Sequence, residues 1–248
     1  MILLQGRYYE KQRDFEKAIN AYLSTLALAR HVAQDNTAAS KMVSLDIEKK
    51  TYAPLRGYLN KKGIDKKICR RILTYLEAHD KNHFPAKEIV EAEKAQFMSM
   101  VDIAIDDFQR TVTTSPNNPP GVDVFAEEFA LVFQQEALKL THEMTDDVFE
   151  NFIKAAETNA KKDWELAISG LKRFRKAQSR MIAKVDISKL SYDSFTGTNR
   201  AFSRELAKVN VVPFLVVPNP KKPVDIFYAA SKELKALRSL AKSRLRGA

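Results

Sequence analysis

Apolar residues recur at helical spacing along almost the whole chain. Two such stretches, 2–11 and 14–33, predict a helical hairpin, with Asp14 as the N-cap of the second helix. A third helix is expected over 37–62. It contains Pro54, whose ring should kink or break it. Gly63 marks a turn, and residues 65–79 follow with Ile68, Ile72, Leu73 and Leu76 on one face. Pro85 opens a long helix to about Val112, striped by Val90, Phe97, Val101, Ala104, Phe108 and Val112. Met98, Met100 and Ile103 add apolar surface off that stripe, which predicts neighbours on several sides. The stretch TTSPNNPPG at 113–121 is dense in turn residues and breaks the pattern. Further helices are expected over 122–143, from a Thr145 cap to about residue 160, over 162–186, over 200–209 and over 224–246, with 187–199 irregular.

One segment departs from the helical period. In NVVPFLVVPNPKKP, residues 210–223, Pro213 and Pro218 forbid a regular helix. The β-branched residues favour an extended chain. Val211, Val212, Phe214, Leu215, Val216 and Val217 then form an apolar strap, with Phe214 and Leu215 as anchors seated between helices, tying the last helix to the body. The rival reading is an exposed segment that pairs with another chain or dips into a membrane interface. The expected fold class is all-α, an irregular multi-helix bundle of about 8–9 helices with one extended apolar segment at 211–217. Its organisation reads as an N-terminal half (1–112), a linker (113–121) and a basic C-terminal half (122–248), or as one continuous domain.

Composition supports the helical reading. Seven glycines and nine prolines in 248 residues are too few for a chain built of tight turns. The single cysteine, Cys69, rules out an internal disulfide and is expected as a core thiol beside Ile68. The opening MILLQGRYY has an apolar run too short for a signal sequence or a membrane span. With Met1 as the native start, a cytoplasmic location is expected. With an N-terminal anchor removed, the expectation is periplasmic or envelope.

Charge changes the picture more. The net charge is +10, but residues 151–248 hold 21 Lys/Arg against 8 Asp/Glu, whereas residues 1–150 hold 20 against 23. Lys172, Lys176, Arg180 and Lys184 repeat every fourth residue on the face away from Leu171 and Phe174, with Arg173 and Lys162 alongside. The last helix repeats the design, with Lys235, Arg238, Lys242 and Arg246 outward and Leu234, Leu237, Leu240 and Ala241 inward. Such ridges suit an anionic partner, either nucleic acid or acidic lipid, or an acidic protein.

Enzyme signatures are mostly missing. There is no Gly-x-Gly, no P-loop and no Gly-x-Ser-x-Gly. Ser239 and Lys242 form an isolated Ser-x-x-Lys. In THEMTDD, Asp146 stands where a zincin needs its second histidine, and Thr145 with Asp146 and Asp147 reads as a helix cap followed by acids on the dipole. DDVFE also matches the aspartate-rich motif of helical isoprenoid synthases superficially. Asp102 and Asp106 lie one turn apart and read as a solvated edge. In EAHDKNH, His79, Asp80 and His83 are the one alternative metal set, since histidines at i and i+4 on a helix can share an ion. Against it, Phe84-Pro85 ends the helix near His83, and His79 continues the apolar stripe as a hydrogen-bonded core histidine would.

Three resemblances accompany these readings. The first hairpin resembles a tetratricopeptide unit through Gly6, Tyr9, Phe15, Ala18, Ile19 and Tyr22, which implies two closely packed helices over residues 1–34. No second copy follows at the family's spacing, so the stacked peptide groove is not implied. YLSTLALARHVAQDNTAASKMVSLDIEKK and FYAASKELKALRSLAKSRL are similar to stretches of uncharacterised bacterial envelope-associated helical proteins, which implies an envelope location. The His-Asp step resembles the HD phosphohydrolases, whose ligand order His31, His79 with Asp80, and Asp102 or Asp106 would fill, although Lys81 and Asn82 replace the small residues usual there. Together these point to a helical binding or scaffold protein, with no catalytic residue, cofactor or small-molecule substrate inferred. The alternatives are a peripheral membrane or envelope domain and an HD-like metal-dependent phosphohydrolase.

Overall fold

A computed structural model describes the backbone of residues 1–113, 122–186 and 200–246, with side chains over 1–111, 129–186 and 200–246. The expectations for 114–121 and 187–199 fall outside these residues. Helices make up 86% of the structure and no strand occurs among the described residues, so the fold is all-α. Nine helices are described: α1 (Ile2–Lys11), α2 (Phe15–Ala33), α3 (Ala38–Leu59), α4 (Lys66–Lys81), α5 (Lys87–Thr113), α6 (Val122–Thr158), α7 (Lys161–Ala183), α8 (Arg200–Asn210) and α9 (Lys221–Arg246).

The starts of the early helices are set locally. Asp14, Thr37 and Asp65 each accept a hydrogen bond from a backbone N–H of the following turn. Pro54 sits inside α3 without ending it, so the expected break does not occur. The neighbouring Tyr52, Leu55, Tyr58 and Leu59 are buried, and their packing offsets the one backbone bond that the ring removes. Thr145 does not cap a helix either. It is buried in an unbroken α6 and donates its hydroxyl to Thr141 O, 2.8 Å away.

The chain forms two compact units, Met1–Ala92 with Lys221–Ala248, and Glu93–Pro220. It passes between them inside α5 and again at Pro220–Lys221. In the first unit α2 packs on α1, α3 and α4, while α9 packs on α3 and α4. Gly6 lets α1 close on α2. A Cβ there would stand 2.4 Å from Tyr22 Cε1, and the Tyr22 hydroxyl donates to Glu10 Oε2 at 3.0 Å. Cys69 is buried and bonds Ala241 O through Sγ, which attaches α4 to α9. Burial pushes its thiol pKa up, so it is an inert core group, as expected from its phase.

In the second unit α6 packs against α7 and α8. Its Phe129, Phe133, Phe149 and Phe152 are buried, with Phe149 against Phe97 of α5 and Phe152 against Trp164 of α7. The stripe of α5 includes the buried Ile105 as well as Phe97 and Val101. Met100 and Ile103 are exposed, so the expected neighbours on those sides are not there within the described structure.

The apolar strap differs from its expected form in two ways. Val212–Phe214 is a turn of 3₁₀ helix rather than extended chain. Val211, Val212, Leu215 and Val217 are buried, but the expected anchor Phe214 is 66% exposed and Val216 is 69% exposed. The tight turn explains this, because Val211 and Val212 enter it facing inward while Pro213 and Phe214 lie on its outer side, and burial alternates only from Phe214 to Val217. The segment packs on α7 and α8, where Gln178 Nε2 donates to Val212 O at 2.6 Å and to Leu215 O at 3.2 Å. Val224, Phe227, Ala230, Leu234, Leu237 and Ala241 bury the inner face of α9 in the first unit. Each fully buried large side chain contributes about 1.5–3 kcal/mol.

Candidate functional site

Two places collect chemistry-bearing side chains, one in each unit. In the first, α3 supplies Glu48 and the C-terminal end of α4 supplies His79, with His83 just beyond the Asn82 cap. Glu48 is almost fully buried, and its two oxygens face different rings. His83 Nε2 is 3.0 Å from Oε2, and His79 Nε2 is 3.2 Å from Oε1. Tyr52 also donates its hydroxyl to Oε2 at 3.1 Å. The three donor atoms lie within 4.8 Å of one another.

The two rings are held differently. His83 donates from Nδ1 to Phe84 O at 3.2 Å when that nitrogen carries the proton, and its ring stacks on Phe84 and leans on Phe227. His79 has no exposed surface, yet neither ring nitrogen has a hydrogen-bonded partner, because its approach to Glu48 is off the line of a hydrogen bond. The core histidine expected from the sequence is therefore buried but not satisfied. Burial works to raise the Glu48 pKa. The facing imidazoles overcome it and hold the carboxyl down at about 2. For His83, burial disfavours the charged ring, but the Glu48 hydrogen bond and charge outweigh it and raise its pKa.

A cavity of about 710 Å³ opens beside this cluster, and Arg30, Lys41, Ser44, Glu48, His83 and Glu88 are among its walls. Lys41 is buried, bonds Glu88 Oε2 at 2.7 Å and lies over the Phe84 ring. Ser44, one turn before Glu48, is buried with its hydroxyl unpartnered. His31 reaches the same cavity from α2. Asp80, the middle member of the sequence-derived metal set, points elsewhere and pairs with Arg238 of α9. Asp102 and Asp106 are exposed and belong to the other unit. Glu48 was missed in the sequence reading. Its one signal is a carboxylate continuing the buried face of α3 after Ser44 and Leu45.

In the second unit a groove of about 740 Å³ runs between α7 and α8, walled by Arg173, Lys176, Arg180, Lys184, Arg204 and Lys208. The first four belong to the ridge expected from the sequence. They and Lys172 are exposed, with no carboxylate partner among the described residues, as is Lys162 near the start of α7. The far wall is partly neutralised. Arg204 bridges Glu136 at 3.4 Å and Glu143 at 2.5 Å, and Lys208 pairs with Glu205 at 2.5 Å. The hydrogen bond to Glu143 and the charge around it keep the Arg204 guanidinium more firmly protonated than usual. In THEMTDD, Asp146 meets Lys94 at 3.0 Å and His142 at 3.1 Å, on one face of α6. The ridge expected on α9 is interrupted. Arg238 pairs with Asp80 and Lys242 with Glu77 at 2.9 Å, which leaves Lys235 and Arg246 as its exposed cations without a described partner.

No family model, no curated protein and no solved structure matches this chain. No described helix is long and apolar enough to cross a membrane.

Proposed function

We propose that this protein is a helical binding module whose α7–α8 groove receives a phosphate-bearing polymer of the nucleic-acid type. The observation that carries this is the row Lys172, Arg173, Lys176, Arg180 and Lys184, exposed along one helix and without carboxylates to neutralise it. Cations held by acids on the same molecule gain little from an added anion, because the acid must be displaced first. Free cations release only solvent and counterions. Twelve residues of helix rise about 18 Å, enough to follow several phosphates. No side chain of the row is aromatic, so the binding is read as contact to the backbone rather than to bases.

A second reading has its own observation. Phe214 and Val216 stand exposed on the segment that packs on α7, so apolar tips and cations occur in the same unit. That combination suits adsorption to an acidic membrane surface. Titration of labelled single- and double-stranded oligonucleotides at stepped salt tests the first reading. With about five phosphate contacts, affinity should fall by roughly two to three decades between 50 and 200 mM salt. Salt-independent binding, or none at low salt, sinks it. Sedimentation with vesicles containing acidic lipid, with no oligonucleotide binding, transfers the conclusion to the membrane reading.

A further inference from the structure

The paired histidines around Glu48 pose a chemical problem. When His83 donates from Nδ1 to Phe84 O, the nitrogen turned to Glu48 carries a lone pair, and a lone pair then faces a carboxylate oxygen 3.0 Å away. Positive charge has to lie between them. A proton on Nε2 satisfies that one contact. It does nothing for His79, whose Nε2 is 3.2 Å from the other oxygen and off the hydrogen-bond line, with its Nδ1 also orphaned and the ring wholly buried. Buried polar groups are rarely left in this state, since each unsatisfied group costs about 1–3 kcal/mol. The hydroxyl of Ser44 is orphaned one helical turn away.

A metal ion answers both contacts at once, because coordination draws lone pairs to a shared centre instead of along an N···O line. We propose that Glu48, His79 and His83 bind a divalent transition-metal ion of the zinc class, with an open coordination position toward the cavity. Around tetrahedral zinc, ligands at about 2.0–2.2 Å stand roughly 3.3–3.5 Å apart. The observed separations of 3.0 and 3.2 Å run to different Glu48 oxygens, and the three ligating atoms lie within 4.8 Å of one another, so side-chain rotation at Glu48 and at the two rings completes the site. Two imidazoles and one carboxylate favour zinc, cobalt, nickel or iron over magnesium or calcium, which prefer oxygen ligands throughout. The Nδ1 to Phe84 O bond fixes the tautomer that leaves His83 Nε2 free to ligate. Three protein ligands leave a fourth position, and Arg30 on the cavity wall suits an anionic or water-derived fourth ligand. The ligand set replaces the sequence-derived His79, Asp80 and His83, because Asp80 is engaged by Arg238.

The test is titration of the metal-stripped full chain with Co²⁺ followed by visible absorption, and with Zn²⁺ by calorimetry. One ion per chain and the intense absorption of four-coordinate Co²⁺ are expected. Zn²⁺ should also raise the melting temperature through its preference for the folded state. His83→Asn, whose site is the least buried of the three, should keep the helical circular dichroism and lose about 100-fold or more in affinity. His79→Ala should do the same where it folds. No saturable binding of either metal overturns the proposal, and so does binding that His83→Asn leaves unchanged. Neither result bears on the α7–α8 groove, which lies in the other unit.

Discussion

Helices α7 and α9 carry the same sequence pattern. In each, apolar residues recur on an inner face and Lys or Arg recurs at four-residue spacing opposite. Their cations meet different fates. On α9, Arg238 and Lys242 find Asp80 and Glu77, two acids on successive turns of the α4 surface against which α9 packs. On α7, Lys172, Arg173, Lys176, Arg180 and Lys184 find no described acid, while Glu136 and Glu143 of α6 pair with Arg204 and Glu205 of α8 pairs with Lys208. A basic stripe in a sequence therefore does not say whether a helix is a binding face or half of a salt-bridged joint. The neighbour decides.

The apolar face of α9 carries the largest expected effect. Leu237 is fully buried there, and Leu237→Ala should cost about 2–5 kcal/mol in urea unfolding of the first unit. Oligonucleotide affinity measured under folding conditions should stay at the wild-type value. A matching loss of affinity would show that α9 takes part in binding after all. Charge reversal sharpens the contrast. Lys176→Glu with Arg180→Glu should lower anion affinity by about 100-fold and reduce the salt slope by about 2, because each lost phosphate contact removes about one unit of slope. The matched pair on α9, Arg238→Glu with Lys242→Glu, should leave affinity within a few-fold while lowering the melting temperature. Equal effects of the two pairs on affinity would erase the distinction between the helices. The smallest effect belongs to Asp80→Asn. It frees a partly exposed Arg238 and should cost no more than about 1 kcal/mol, read from urea midpoints. If it costs several, the pair is a keystone of the α4–α9 joint instead of a modest contact.

The same contrast separates what was legible along the chain from what was not. Asp14 as a cap, the burial of Cys69 and the helical phase of α4 and α7 follow from residues within one or two turns, and short-range patterns are readable. Thr145 misled, and Pro54 does not end its helix, for a shared reason. Local signals favour a helix end at each, but packing of α6 and α3 along their lengths outweighs a cap or a single missing hydrogen bond. Phe214 misled because its apolarity says nothing about which way a bent backbone turns it. The histidine cluster was half legible. His79 and His83 stand four apart, but their carboxylate comes from Glu48, 35 residues before His83 and on another helix, while the adjacent Asp80 turns to a partner 158 residues away.

By itself, then, the order of residues determined an all-helical chain, the stops and starts of several helices and a surplus of cations in the C-terminal half, because each depends on neighbours in sequence or on plain counting. Only the tertiary structure decided which cations stay unpaired and which carboxylate stands between two imidazoles. Charges and lone pairs act through space over a few ångströms, and nothing in the spacing along a helix states what the next helix will bring within that reach.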